Sequence, residues 1–181
     1  MNLARTDLRG AFLKDAHLER ISFGGAHLER ADLSGAHLER ALLVEAYLNP
    51  TVLMGTYLRG AYLTGAHLEG AVLFGALLER ATLINAHLEG ANLWRACLKR
   101  AILNSAHLEK ANLWQAHLDG ALLRDTHLEG ANLREAYMKG ALRLTVEQLA
   151  TVKTLYKADM DPPLMEKIRQ QYPHLLEWPQ Q

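Results

Sequence analysis

Leucine recurs at every fifth position over most of the chain. Counting from Leu3, each fifth residue to Met138 is leucine except Phe23 and Met138 itself, across 28 units without insertion or deletion. An α-helix turns about 100° per residue, so a five-residue step would scatter these side chains around its axis. In an extended chain residues two apart share a face. Ala26 and Leu28 therefore point inward, and their polar neighbours point outward.

The fifth position of each unit predicts a corner. It carries Gly, Arg, Lys, Asp, Glu or Pro among other residues, and it holds twelve of the chain's thirteen glycines. Glycine tolerates the backbone angles of tight turns, so the strand bends there. Short strands joined by corners wind into a coil filled by Ala and Leu, and successive coils stack in parallel about 4.8 Å apart.

The number of sides follows less directly. His recurs at multiples of ten residues. A column is the set of residues at the same position of successive coils. Three sides would put the units that carry His and the units between them into the same column, whereas two or four sides keep the two kinds of unit in columns of their own. An even number is favoured, and both two and four remain open.

The repeat units resemble a known family. "ADLSG", "ANLWR", "ANLWQ" and "ANLRE" are similar to the A(D/N)LXX signature of pentapeptide-repeat proteins, and the likeness covers residues 3 to about 142. The resemblance implies an all-β solenoid, a right-handed quadrilateral β-helix of about seven coils. His stands at the position of the usual Asp or Asn in eight of the 28 units.

A different pattern begins at Arg143. We expect two domains, a repeat β-helix over 1–142 and a short α-helical cap or tail over 143–181. Thr145 and Gln148 suit a capping box, and apolar residues then recur at helical spacing, which predicts a helix from about 146 to 157. A second helix is expected to start at Asp161 and Pro162 and to stop at Pro173. The helices either cover the last coil or mainly dimerise, whereas no comparable cap precedes Leu3.

Composition narrows the classes of function. Twenty basic side chains balance twenty acidic ones, so net charge gives no reason to expect nucleic acid or an acidic membrane as a partner. Cys97 is the only cysteine, which rules out an internal disulfide. The chain opens directly on the repeat and contains no apolar run long enough to span a bilayer. We expect a soluble, cytoplasmic protein.

One face is predicted to carry a ladder of histidine and glutamate, which we call the His/Glu ladder. Its candidate residues are His67, His87, His107, His127, Glu69, Glu89, Glu109 and Glu129. We expect stacked, solvated strand residues, because a straight file offers ligands in a line rather than a tetrahedral pocket. No metal or cofactor is expected.

Another face carries a second histidine file with arginine at its corner, at Arg20, Arg40, Arg80 and Arg100, and this basic edge could contact phosphate or an acidic partner. Interleaved Glu19, Glu39 and Glu79 are expected to pair with these arginines in a solvated ion-pair network. Cys97 below His117 suggests a nucleophile, yet no orienting third group or oxyanion cradle accompanies the pair. The sequence therefore predicts a protein that is not an enzyme.

An aromatic column is the candidate interface. Met54, Phe74, Trp94 and Trp114 follow the central leucine of their units at a spacing of twenty residues, with Val52 and Val72 beside them. Exposed aromatic clusters often mark interfaces, although stacking between neighbouring strands is the competing interpretation.

The leading functional hypothesis is a non-enzymatic protein-protein interaction or scaffold protein. Its rigid flat faces would meet an unidentified protein partner or a second copy, as a homo-oligomer. An alternative comes from the resemblance, since some pentapeptide-repeat proteins mimic DNA and regulate or protect a type II topoisomerase. That role needs a strongly acidic surface, and this chain is neutral overall. Metal or proton binding by the His/Glu ladder is a further alternative.

Overall fold

The chain winds into a solenoid whose turn is twenty residues long. The structure, a computed structural model, describes residues 1–178. Parallel β-bridges of single residues connect positions twenty apart, from Asn2↔Ser22 to Leu122↔Leu142. This spacing decides between the two even-sided alternatives, because four five-residue units fill one turn.

Hydrogen bonds between coils follow the same offset. The Leu93 N–H donates to the Asn112 carbonyl at 2.8 Å, and the Asn112 N–H donates to the Ala91 carbonyl at 2.9 Å. At the corners the backbone enters the left-handed region, with φ of 65° at Gly70 and 59° at Arg40. Glycine adopts this conformation without strain, which accounts for its concentration at the fifth position.

Alanine and leucine fill the interior as the repeat predicts. Ala91 and Leu93 expose 0% and 1% of their surface, and Phe23 fits the leucine column with 0% exposed. Three buried threonines stand where alanine is usual. Each hydroxyl donates to a backbone carbonyl of the preceding coil, which satisfies the buried polar atom. These threonines are Thr51, Thr56 and Thr126.

The two ends of the solenoid differ. The leucines of the first coil are only partly buried, and Phe12 is 92% exposed. The open first coil expected from the sequence is therefore present. The C-terminal end is covered, because Ile168 and Leu175 are buried against the core.

The expected helix over 146–157 is wrong in extent. Helix α1 spans Val146–Leu149, with the predicted capping box between Thr145 and Gln148. Beyond it, Thr154 and Asp159 form β-bridges with Asn132 and Tyr137, at an offset of 22 residues. Residues 153–160 read "KTLYKADM", in which Leu155 and Met160 occupy core positions. The two further bridges bury these side chains, and a longer helix could not do so.

The second helix agrees with its predicted bounds. Helix α2 spans Pro162–Gln171 after the N-cap Asp161, and a 3₁₀ helix follows at Pro173–Leu176. The Gln148 side chain donates to the carbonyls of Leu123 and Thr126, both at 2.9 Å. The tail therefore acts as a lid on the last coils. Neither α1 nor α2 has the length and apolar character of a membrane-crossing helix, and no other helix of residues 1–178 does.

Candidate functional sites on the solenoid faces

The His/Glu ladder is a continuous stack of rings. Ring centroids lie 5.0 Å apart between His67 and His87 and between His87 and His107, and 4.6 Å apart between His107 and His127. Tyr47 extends the stack at 4.9 Å from His67, and all four pairs are within 7° of parallel. The coil spacing sets these separations, because each ring stands on the same position of successive coils.

Each inner histidine of the ladder contacts the glutamate two residues on. The distance from Nδ1 to Oε1 is 3.1 Å for His67 and Glu69, 3.3 Å for His87 and Glu89, and 3.0 Å for His107 and Glu109. Burial alone would raise the pKa of Glu109, but hydrogen bonds from His107 and from its own backbone N–H outweigh this and lower the pKa. The Glu109 carboxylate is thereby held ionised.

The last pair of the ladder is different. His127 and Glu129 are both exposed, and the described residues show no hydrogen bond between them. The donor atoms of His107, Glu109 and His127 lie within 4.8 Å of one another. Zinc would hold such atoms at about 2.0–2.2 Å from itself, so the parallel rings would have to tilt to bind it. Metal binding therefore stays an alternative hypothesis for the ladder.

The second histidine file places its carboxylates away from the arginines. His37 stacks on His17 at 4.8 Å and on Tyr57 at 4.4 Å. Glu19 and Glu39 contact the Nδ1 atoms of His17 and His37 at 3.1 and 3.5 Å.

The expected ion-pair network with the arginine corner is therefore wrong. Within residues 1–178 no carboxylate oxygen lies within 4.0 Å of a guanidinium nitrogen of that corner. The reason is local geometry. Glu and His share one side of a strand, whereas the arginine stands at a left-handed corner and its side chain leaves in another direction.

Cys97 is not prepared for nucleophilic chemistry. Burial raises the pKa of its thiol; the hydrogen bond from the Lys99 backbone lowers the pKa by less than burial raises it, and the nearby Glu79 carboxylate raises it again. A reactive cysteine needs the opposite, a thiolate stabilised near neutral pH.

The aromatic column is partly a stack and partly a surface. Trp94 stacks on Trp114 at 5.0 Å, and Phe74 is tilted by 44° against Trp94 at 4.9 Å. The guanidinium of Arg134 lies 4.9 Å from the Trp114 ring. Trp94 and Trp114 are only half-exposed, and the buried indole N–H of Trp94 meets no hydrogen-bond acceptor in the described part of the chain.

Three residues of this column were missed by sequence reasoning. Arg134 also contacts the rings of Tyr156, at 5.7 Å, and Trp178, at 4.1 Å. The column thus continues into the C-terminal lid. The signal was present in "ADM" at residues 158–160, which repeats the family signature and would have placed Tyr156 above Arg134.

The freely accessible part of the candidate interface lies at its other end. Met54 is 42% exposed, and Val52, Val72 and Phe74 are half-buried beside it. A groove at this corner is lined by Met54, Phe74, Gly55 and Gly75 together with the polar residues Lys14, Asp32 and Ser34. No atom lies within 4 Å of the Cβ position at either glycine, so the corner is open.

The family assignment rests on the repeat itself. The model of the family of pentapeptide repeats matches in 8 copies, over residues 2–40, 21–60, 51–76, 66–104 and 101–140. The chain belongs to this family, and its fold is the right-handed β-helix solenoid of pentapeptide-repeat proteins. No curated protein is a significant match.

One solved structure supports the same family. HetL from the cyanobacterium Nostoc sp. strain PCC 7120, a pentapeptide repeat protein involved in heterocyst differentiation regulation, is 30% identical. The match has a TM-score of 0.55 and covers 87% of this chain and 73% of HetL. QnrB1, a plasmid-mediated fluoroquinolone resistance protein, is 18% identical with a TM-score of 0.44, covering 92% of both chains.

Proposed function

We propose that this protein is a non-enzymatic interaction or scaffold protein that binds a protein partner or a second copy of itself through one corner of the solenoid. Pentapeptide-repeat proteins are generally structural or interaction proteins, and no catalytic family matches the chain. HetL, the relative described above, is involved in regulation. The raised pKa of the Cys97 thiol agrees with a protein that does no covalent chemistry.

The observation that carries the proposal is the apolar groove at Met54 and Phe74. Gly55 and Gly75 remove side chains from the corner, so the groove adjoins the next face, where Tyr57 is 38% exposed. The two faces thus form one apolar and aromatic surface across the open corner. Such a surface is typical of the centre of an interface, which is surrounded by polar residues. Rigid coils would hold this surface in shape before binding, which lowers the entropic loss on association.

The stacked tryptophans have a different role in this proposal. Trp94 and Trp114 are clamped between Phe74 and Arg134, so they brace the face beside the groove. Met54 and Phe74 are the side chains a partner would cover.

The DNA-mimic alternative is less well supported by the distribution of charge. A mimic of duplex DNA needs acidic surface on the faces it presents. Here Arg20, Arg40, Arg59, Arg80 and Arg100 are exposed along one corner region of the solenoid. Such a surface would repel a DNA-binding site instead of filling it.

The test replaces Met54→Thr and Phe74→Thr together, because threonine keeps strand propensity while it removes the apolar surface. We expect an unchanged circular dichroism spectrum. We expect loss of self-association by light scattering, or loss of specific partners in a quantitative pulldown from the source cells.

Tyr62→Thr is the matched control, since Tyr62 is 48% exposed on the opposite face. It should leave both the mass and the partner set unchanged. If Met54→Thr with Phe74→Thr behaves like Tyr62→Thr, the groove is not the interaction site.

A further inference from the structure

One corner region of the solenoid gathers arginines without acidic partners. We call Arg20, Arg40, Arg59, Arg80 and Arg100 the arginine edge; all five are exposed. No carboxylate oxygen of residues 1–178 lies within 4.0 Å of their guanidinium nitrogens. Arg20 and Arg40, and likewise Arg80 and Arg100, stand on successive coils about 4.8 Å apart and repel one another, whereas Arg59 stands in the column of Glu39 and Glu79.

The nearby glutamates do not relieve this repulsion. Glu39 directs Oε1 to His37 at 3.5 Å, while its Oε2 is buried. Glu79 lies beside Cys97, and its Oε2 is also buried without a hydrogen-bond partner among the described residues. The carboxylates are turned toward the histidine file, and the positive charges face solvent.

The arginines converge at a notch. Arg40, Arg59 and Arg80 line a concave site together with Glu39 and Gly60. Gly60 is the corner residue between Arg40 and Arg80, where the neighbouring coils carry arginine. The stem of Arg40 crosses this glycine, with its Cγ 3.6 Å from the Cβ position. Because residue 60 has no side chain, the Arg40 stem lies across this corner, in a site that Arg59 and Arg80 also line.

We propose that this notch binds a multiply charged phosphate-type oxyanion. Guanidinium groups present planar pairs of N–H donors that match two oxygens of a phosphate group. Three guanidinium groups around one notch supply more N–H donors than the two oxygens of a single carboxylate can accept, which favours a phosphate-type group with more oxygens. A bound oxyanion would also cancel the repulsion along the arginine edge, so binding and stability are coupled.

The test measures both binding and stability with sodium diphosphate as the probe. At constant ionic strength, diphosphate should raise the melting temperature of the protein above that in sodium chloride and give a saturable signal in calorimetry. Replacing Arg59→Gln and Arg80→Gln should weaken binding by about tenfold or more for each lost charged contact.

In the absence of diphosphate, the melting temperature gives a second test of the same residues. Arg80→Gln removes one of two like charges on successive coils, so this variant should melt at a higher temperature than the wild type in low salt; Arg59 stands between Glu39 and Glu79, and its replacement gives no such gain. Gln115 adopts a φ of 55° at another corner, so glutamine is compatible with the backbone at residue 80. If the arginine had a purely structural role, its replacement would lower the melting temperature both with and without diphosphate.

Arg30→Gln and Arg124→Gln are the controls, because these exposed arginines stand on other parts of the solenoid. They should retain diphosphate binding. The proposal is overturned if the notch variants bind as the wild type does, or if chloride at equal ionic strength stabilises the protein equally. Binding of a glutamate-rich peptide without binding of diphosphate would also overturn it, and would assign the edge to acidic protein segments.

Discussion

Each core residue is confined by identical positions on the coils above and below it. Leu93 lies between Leu73 and Leu113, and all three are buried to within 1%. Their backbones are tied together by hydrogen bonds of 2.8 Å between coils. Since the coil spacing cannot shrink at one point, a void made in this column would stay open.

Leu93→Ala should therefore lower the free energy of unfolding by about 2–5 kcal/mol, the range for a buried leucine whose surroundings do not collapse. Urea denaturation monitored by circular dichroism measures this. Leu13→Ala is the control, because Leu13 is only partly buried in the open first coil and should lose less. Tolerance of Leu93→Asp without loss of stability would contradict the assigned register.

At the level of the elements, the His/Glu ladder links stability to pH. Glu29 stands in the same file as the glutamates of the ladder, with its Oε1 2.9 Å from Nδ1 of His27. The pKa values of Glu29 and Glu109 are lowered below their ordinary value of 4.5; burial opposes this, but hydrogen bonds from histidine and from the backbone outweigh it. As the pH falls, the unfolded chain takes up these protons first. The stabilisation is complete above about pH 4.5 and is lost as the pH falls below it.

The melting temperature should thus fall when the pH is lowered from 6 to 3, and the double variant Glu29→Gln, Glu109→Gln should show a shallower fall. Differential scanning fluorimetry across this range measures the two slopes. Glu129→Gln is the control, because Glu129 is exposed and lacks the hydrogen bond to its histidine. Equal slopes for the wild type and the double variant would show that the ladder does not carry this dependence.

The elements also show which sequence inferences succeed. The repeat, the burial of its columns, the capping box at Thr145 and the start of α2 are local properties, and the structure has them all. The helix expected over 146–157 fails because the last coil offers unpaired strand edges and a leucine core. Covering these with Leu155 and Met160 outweighs local helical spacing.

The candidate sites were harder to predict than the fold. The repeat places Met54, Phe74, Trp94 and Trp114 in one column, and Arg134 follows twenty residues after Trp114 in the same register. The contact of Arg134 with Tyr156 is hidden, because the last bridges have an offset of 22 residues instead of twenty. Charge patterning likewise suggested ion pairs at the arginine corner, because a sequence shows neighbours but not the direction in which a corner side chain leaves.

On the scale of the whole molecule, the solenoid is a one-dimensional array with unequal ends. Most backbone hydrogen bonds of the repeat connect adjacent coils, and the others close the corner between one unit and the next, so each coil is stabilised by its two neighbours. The first coil has a neighbour on one side only. Among residues 1–178, no acceptor pairs with the backbone N–H groups of its four outward positions, which are Asn2, Asp7, Phe12 and His17. The last coil, in contrast, is covered by the lid.

Hydrogen exchange should follow this asymmetry. We expect the amides of residues 1–20 to exchange fastest and those around Leu73 to Leu113 to exchange slowest. The amides of residues 121–140 should be better protected than those of the first coil, because fraying of an array starts where a neighbour is missing. Exchange followed by mass spectrometry at peptide resolution measures the gradient. Repeating it over a range of protein concentrations separates fraying from association, since a second molecule bound at the open end would protect residues 1–20 only at high concentration. Protection of the first coil equal to that of the middle coils at every concentration would contradict the nearest-neighbour account of stability.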